Sequence, residues 1–299
     1  PRHLAYEAIQ QADSIERLRD LVALAEAHRF AADGELCAEI AELLRYFNDF
    51  DQAIHWYLKA LGCEDGQMSV HGIEQFFNLS VRTTATRVGP VEGAITDIDR
   101  LIDFMEQINA HTPTTERLCL LGSAHKRKAG LLAHGPARID ALERAAQAYE
   151  QAGALLGPTA HPYPLINACI FRAALNMVTG AEPHGSAARA AFAAANARKG
   201  KHPIREFWDY AVDAELILCN VYAGTRKPSA AATRELVNSY QTAYRRADDK
   251  GVYRSVIEQI DIMRELLPQT PASDMQDDVS RLRDWLNALR ALVAAGAGA

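Results

Sequence analysis

Apolar residues recur at spacings of three and four along nearly the whole chain, and valine-rich alternating runs are absent. Such a period lays one apolar stripe along a helix, whereas a half-buried strand needs alternation at every second residue. The chain is therefore expected to be helical throughout. Glycine and proline fall between the periodic segments, at Asp33-Gly34, Val88-Gly89-Pro90, His134-Gly135-Pro136, Gly157-Pro158, Glu182-Pro183-His184-Gly185, Lys227-Pro228 and Asp249-Lys250-Gly251. Between these breaks the pattern predicts about a dozen helices in consecutive antiparallel pairs. The first covers residues 2–29 as one or two helices. Others are expected at 69–85, 91–108, 163–179, 186–198, 203–222, 229–247 and 252–267. Thr112-Pro113 reads as a capped helix start, with the proline in the first turn. Ser273-Asp274-Met275-Gln276 reads as a capping box for a last helix that ends at Leu292. No stretch has the composition of an interdomain linker. The expected architecture is an all-α α-solenoid forming one domain over residues 1–292, with a frayed tail at 293–299.

Residues 35–61 carry the clearest local repeat. Ala41, Ala53, Tyr57 and Ala60 stand at the small, small, aromatic and small positions of a tetratricopeptide-like unit, a helix-turn-helix of about 34 residues. Asn48-Asp49-Phe50-Asp51 supplies the turn. The small residues let two helices approach closely, and the tyrosine fills the wedge between them. Residues 118–152 repeat this pattern around the break at His134-Gly135-Pro136, with Leu121-Gly122 on one side and Ala145, Tyr149 and Ala152 on the other. The spacing from Gly122 to Ala145 exceeds that of a standard repeat, so an extended helix or loop is expected there.

The 299 residues carry a formal charge of −6 and a sequence pI near 5.9, which argues against a general nucleic-acid binder. No apolar run is long enough to span a bilayer, and no membrane role is expected. Five cysteines, odd in number and scattered in apolar contexts, point to reduced packing thiols and a cytoplasmic setting. The chain opens at Pro1 without a methionine and runs straight into helical sequence, so a piece of a longer polypeptide is expected.

Motifs for known chemistry are missing from the sequence. There is no CxxC pair, no two histidines on one helical turn, no phosphate-cradling glycine loop, no dinucleotide fingerprint and no Gly-x-Ser-x-Gly elbow. No metal site, cofactor or catalytic residue is expected, and a cysteine-protease dyad at the His-Gly pairs lacks a supporting strand. The polar signal lies instead on helix faces. Leu118, Leu121, Gly122, His125, Ala129 and Leu132 form a packing stripe. Cys119, Ser123, Lys126 and Arg127 share the neighbouring face, and Lys128 points away. Gln75, Asn78 and Arg82 share a face on an earlier helix. Asn167 stands one turn past Tyr163, and Asp209, Asp213 and Asn220 follow on a later helix. Arg82, Lys126 and Arg127 converging in one concave groove would suit a phosphate or carboxylate, with Ser123, Asn78 and Asn167 as directional partners and Tyr163 beside them. The basic group Arg198, Lys199, Lys201, His202 and Arg205 straddles a loop and reads as solvated surface.

Two stretches, LLGSAHKRKA (120–129) followed by ALERAAQAYEQAG (141–153), and YPLINA (163–168), resemble the divergent tetratricopeptide sensor domain TPR-S of bacterial conflict and immunity proteins. They are more distantly similar to the TRAF-binding helical region of apoptosis-signal kinases. The resemblance is strongest over residues 117–180. It implies a non-catalytic regulatory sensor that binds a nucleotide-derived signal and controls a fused or partner effector, such as a CHAT-type protease. The positions that match its motifs are Gly122, Lys126, Arg127, Tyr163 and Asn167. The alternative is a protein-binding scaffold whose groove holds an acidic peptide against Lys126 and Arg127.

Overall fold

The computed structural model describes residues 7–27, 33–64, 68–204, 207–246 and 252–296. Among them every regular element is helical. In chain order these are α1 (Ile15–Ala27), α2 (Gly34–Tyr46), α3 (Phe50–Gly62), α4 (Val70–Thr86), α5 (Val91–His111), α6 (Thr115–Leu131), α7 (Pro136–Ala154), α8 (Tyr163–Thr179), α9 (Glu182–Asn196), α10 (Phe207–Tyr222), α11 (Ala230–Arg246), α12 (Val252–Leu266) and α13 (Gln276–Gly296). A short helical turn at residues 7–10 precedes α1. Residues 1–6, 28–32 and 297–299, the break at 249–251 and Arg205 lie outside the described residues. Packing is consecutive: α2 with α3, α6 with α7, α8 with α9, α10 with α11 and α12 with α13, while α3–α4 and α7–α8 join neighbouring hairpins. This is the expected all-α, solenoid-type organisation of tetratricopeptide-like pairs.

Contacts divide the chain into two compact units, residues 1–105 and 106–299. In the first, Leu18, Leu36, Ile40, Leu44, Trp56 and Tyr57 form the core, with Phe76 and Leu79 of α4 against it. The anticipated repeat residues Ala41, Ala53, Tyr57 and Ala60 are all buried. Asp33 caps α2 by accepting from the Leu36 N–H. Asn48 turns the chain between α2 and α3 at φ 62°, a left-handed conformation that asparagine tolerates.

In the second unit a continuous core runs from Leu118 to Val293 through Tyr149, Phe171, Leu218, Tyr222, Tyr240 and Leu286. The over-long repeat is resolved by helix rather than loop. Helices α6 and α7 have 17 and 19 residues, against 13 each in α2 and α3. Helix α6 starts two residues beyond Pro113, because the Thr114 hydroxyl accepts the Arg117 N–H and fixes the first turn there. The expected capping box at 273–276 is a 3-10 turn, Ser273–Met275, running directly into α13. That last helix continues past Leu292 to Gly296 because Val293 is buried. All five cysteines are free thiols. One packing relation departs from strict neighbour-to-neighbour order: α12 also touches α6, so the last hairpin of this unit returns to its first.

Candidate functional site

Helix α6 carries the candidate site, and its surroundings explain what its polar residues do. The expected packing stripe is buried at Leu118, Leu121, Gly122, His125 and Ala129, with Leu132 half-buried. The face assigned to an open groove is largely covered as well: Cys119 and Lys126 are buried, and Ser123 and Arg127 are half-buried. The cause is the second layer of contacts that α10 and α12 bring. Lys126, 8% exposed, lies in the field of the Glu215 carboxylate of α10, itself 8% exposed. The Tyr240 hydroxyl of α11 donates to that carboxylate. Burial pushes the Glu215 carboxyl up to about 7, against the opposing pull of the Tyr240 hydrogen bond and the Lys126 charge.

Arg127 is half-buried on the adjacent face and turns toward a tyrosine pair. Tyr149 of α7 is fully buried and stacks on Phe171 with ring centroids 5.7 Å apart and planes 2° from parallel. Tyr163, at the first turn of α8, meets Tyr149 edge-on at 6.0 Å and keeps 41% of its surface exposed. Burial pushes the Tyr163 phenol up to about 12; the neighbouring Tyr149 hydroxyl and the Arg127 charge oppose this, and Cys119 and Glu116 add to it. The Tyr149 hydroxyl approaches that of Tyr163 without reaching hydrogen-bond geometry, which leaves it buried without a partner. Gly122 makes the close approach possible, since a Cβ there would stand 2.7 Å from the Tyr149 ring.

Among the residues singled out in the sequence, Ser123, Lys126 and Arg127 share α6, and Arg127 meets Tyr163 of α8. Ser123 is half-buried one turn before Arg127. Asn167 is 2% exposed, and its side-chain N–H donates back to the Tyr163 carbonyl at 3.0 Å, so its amide is part of the helix start. Asn78, exposed, and Arg82, half-buried, stand on α4 in the first unit. On α10, Asp213 pairs with Lys199 at 3.1 Å on the surface, and Asn220 accepts from Thr225 at the helix end.

Asp209 joins His161 and His202 instead, a grouping with no signature in the sequence spacing. Its carboxylate lies 3.8 Å from His161 Nε2 and 4.0 Å from His202 Nε2. His202, read from the sequence as solvated, is buried. The three side chains have the composition of a metal site, but their hydrogen bonds oppose that use. His161 Nδ1 accepts the Tyr163 N–H at 3.1 Å, so its proton sits on Nε2, which faces the Trp208 carbonyl at 3.3 Å. A metal on Nε2 would have to displace that proton to the nitrogen already facing an N–H. The cluster fixes the loop before α8 and the start of α10.

Reading by residue type also missed the staple in which Arg172 of α8 binds Glu143 and Glu150 of α7, each at 2.7 Å. Arg172 and Glu215 were signalled in one respect. Each is a lone charge inside an apolar run, IFRAAL and AELILC.

Helices in consecutive pairs and a tyrosine wedge between small residues define a tetratricopeptide-like helical-repeat domain, a type that is generally non-catalytic. The Tetratricopeptide Repeats-Sensor family model, TPR-S, matches residues 49–172, from the start of α3 to Arg172 in α8. That stretch is therefore of the TPR-S type, over a longer span toward the N-terminus than the motifs alone indicated. No curated protein matches the chain. No helix among the described residues is long and apolar enough to cross a membrane.

Proposed function

We propose that the chain is a non-catalytic, cytoplasmic sensor that binds an anionic, nucleotide-derived small molecule and controls a fused or partner effector in bacterial defence. The observation that carries this reading is the cluster of Arg127, Tyr163, Ser123 and the unsatisfied Tyr149 hydroxyl inside the region that matches the sensor family. A guanidinium beside a partly exposed tyrosine ring offers charge and stacking to one ligand, and a buried hydroxyl without a partner gains a hydrogen bond when a polar group arrives. Lys126 lies behind this cluster, its charge in the field of Glu215 of α10. A ligand that draws on Arg127 shifts the packing of α6 against α8 only by its differential affinity for the two arrangements.

Thermal-shift screening against cyclic and linear nucleotides tests the reading. Arg127→Ala should abolish the shift while leaving helicity and melting temperature of the free protein intact. Lys126→Ala is a poor reporter because it strips a buried charge from Glu215. No nucleotide shift, together with one stoichiometric protein partner from a native lysate, would replace the sensor with the peptide-binding scaffold. Turnover of a bound nucleotide would overturn the non-catalytic assignment.

A further inference from the structure

The return of α12 to α6 creates a cavity of about 450 Å³ that is separate from the α6–α8 cluster. It is lined by His134 from the α6–α7 turn, Arg138 from the first turn of α7, Arg264 and Glu265 from the end of α12, Gln269 from the following loop, and Arg283 of α13. The volume falls within the range of small-molecule sites. Its chemistry is lopsided toward positive charge. Arg138, 7% exposed, donates to the main-chain carbonyls of Leu132 and Glu265. Arg283 donates to the Pro268 carbonyl at 2.7 Å. Carbonyl dipoles orient a guanidinium without neutralising it. Arg264 pairs with Asp261 at 2.6 Å and with Asn287, and the Glu265 carboxylate offsets part of the remaining charge. His134 feels this charge: burial and the neighbouring Arg138 guanidinium both lower its imidazole, whereas Arg138 itself is lowered by burial, with Glu265 and Tyr222 pulling the other way.

We propose that this cavity is an oligophosphate-binding site that clamps the first and last hairpins of the second unit together. Guanidinium forks match phosphate oxygens in pairs, and two held by main-chain carbonyls, Arg138 and Arg283, with the partly neutralised Arg264 beside them, fit a ligand with at least two linked phosphates. The imidazole of His134 is the only aromatic ring among the lining residues, so the phosphate chain rather than a stacked base supplies the recognition. Because Arg138 stands on α7 while Arg264 and Arg283 stand on α12 and α13, a bound chain would span both hairpins and hold α12 against the α6–α7 turn.

Titration calorimetry of the full chain with inorganic pyrophosphate at low salt reads this directly, with ADP as a second arm. Arg283→Gln and Arg264→Gln should each weaken pyrophosphate about 10-fold, the loss expected for charged hydrogen bonds. Arg144→Gln removes the same charge from an exposed α7 position and should leave binding within twofold. Hydrogen exchange should slow at residues 130–138 and 264–283 together when pyrophosphate binds. Equal affinity for ADP assigns recognition to the phosphate chain alone, and tighter ADP adds the nucleoside to it. No saturable binding in either arm overturns the proposal, as do unchanged affinities in Arg283→Gln and Arg264→Gln or an equal loss in Arg144→Gln.

Discussion

Two hairpins of this protein use the same wedge and dispose of their polar groups in opposite ways. In α2–α3, Tyr57 sits between Ala41, Ala53 and Ala60, and its hydroxyl donates to Glu42, which in turn pairs with Arg45 at 2.8 Å on a half-exposed face. In α6–α7, Tyr149 sits against Gly122, Ala145 and Ala152, packed by Phe171 and Tyr163, and its hydroxyl has no partner. The first hairpin sends its polar groups to the surface. The second buries Lys126 and leaves a phenol unsatisfied next to Arg127. A wedge that is completed internally is scaffold; one left polar and incomplete has something to gain from a ligand.

The sharpest difference is the buried charge, and pH reads it. The Glu215 carboxyl rises from 4.5 to about 7 on folding. The unfolded chain therefore gives up this proton before the folded one does. Glu215 favours folding below pH 4.5, its contribution falls as pH rises from 4.5 to 7, and it is flat above. The shift corresponds to about 3 kcal/mol. Glu215→Gln should remove that decline, read as the difference between wild-type and variant denaturation free energies at pH 4.5, 6 and 7.5. Other groups titrate differently. Arg172 holds Glu143 below the usual carboxylate range despite the upward push of burial, so that contribution is lost only as pH falls below 4.5. His161, lowered chiefly by burial, makes stability rise with pH near 6.5. The wild-type minus variant difference cancels both. An unchanged slope would place Glu215 in contact with water.

Gly122 is the next point of difference. Alanine occupies the equivalent position 41 in the first hairpin, and in a helix alanine is favoured over glycine by about 1 kcal/mol. Gly122→Ala should nevertheless destabilise the protein by about 2 kcal/mol, because the new methyl meets a ring that Phe171 and Tyr163 hold in place. Urea denaturation with an unchanged slope checks it. A gain in stability would mean that the Tyr149 ring can move, and the two wedges would then be equivalent.

Much of this organisation could be read without coordinates. Period and breaks gave the helices, and Ala41, Ala53, Tyr57 and Ala60 gave the first wedge, because local spacing alone decides them. Gly122 and Tyr149 gave the second for the same reason. What spacing could not give was the burial of Lys126. Helix periodicity identifies a face but not whether a distant helix covers it, and the covering helices α10 and α12 lie some 90 to 140 residues on. The same limit hid the His161–His202–Asp209 cluster and the Arg138 cavity, both assembled from segments remote in sequence. Lys128, expected to point away from the face of Lys126 and Arg127, is half-buried. Charges inside apolar runs, as at Glu215 and Arg172, are the one sequence feature that marks such long-range pairs in advance.

The smallest effect separates the two wedges most directly. Tyr57→Phe removes a hydrogen bond to a charged acceptor and should cost about 1.5 kcal/mol, since Glu42 keeps Arg45 but loses the phenol. Tyr149→Phe removes a hydroxyl that has no partner, so it should be neutral or stabilising by up to about 1 kcal/mol. The ring, its stack on Phe171 and its contact with Gly122 all survive the change. Chemical denaturation of the two variants under one set of conditions gives both values. If Tyr149→Phe costs as much as Tyr57→Phe, the second hydroxyl is satisfied in solution and the wedges differ only in their glycine. If it costs nothing, yet lowers the nucleotide-induced thermal shift, the hydroxyl is conserving its hydrogen bond for a ligand, and the second hairpin is the one built for recognition.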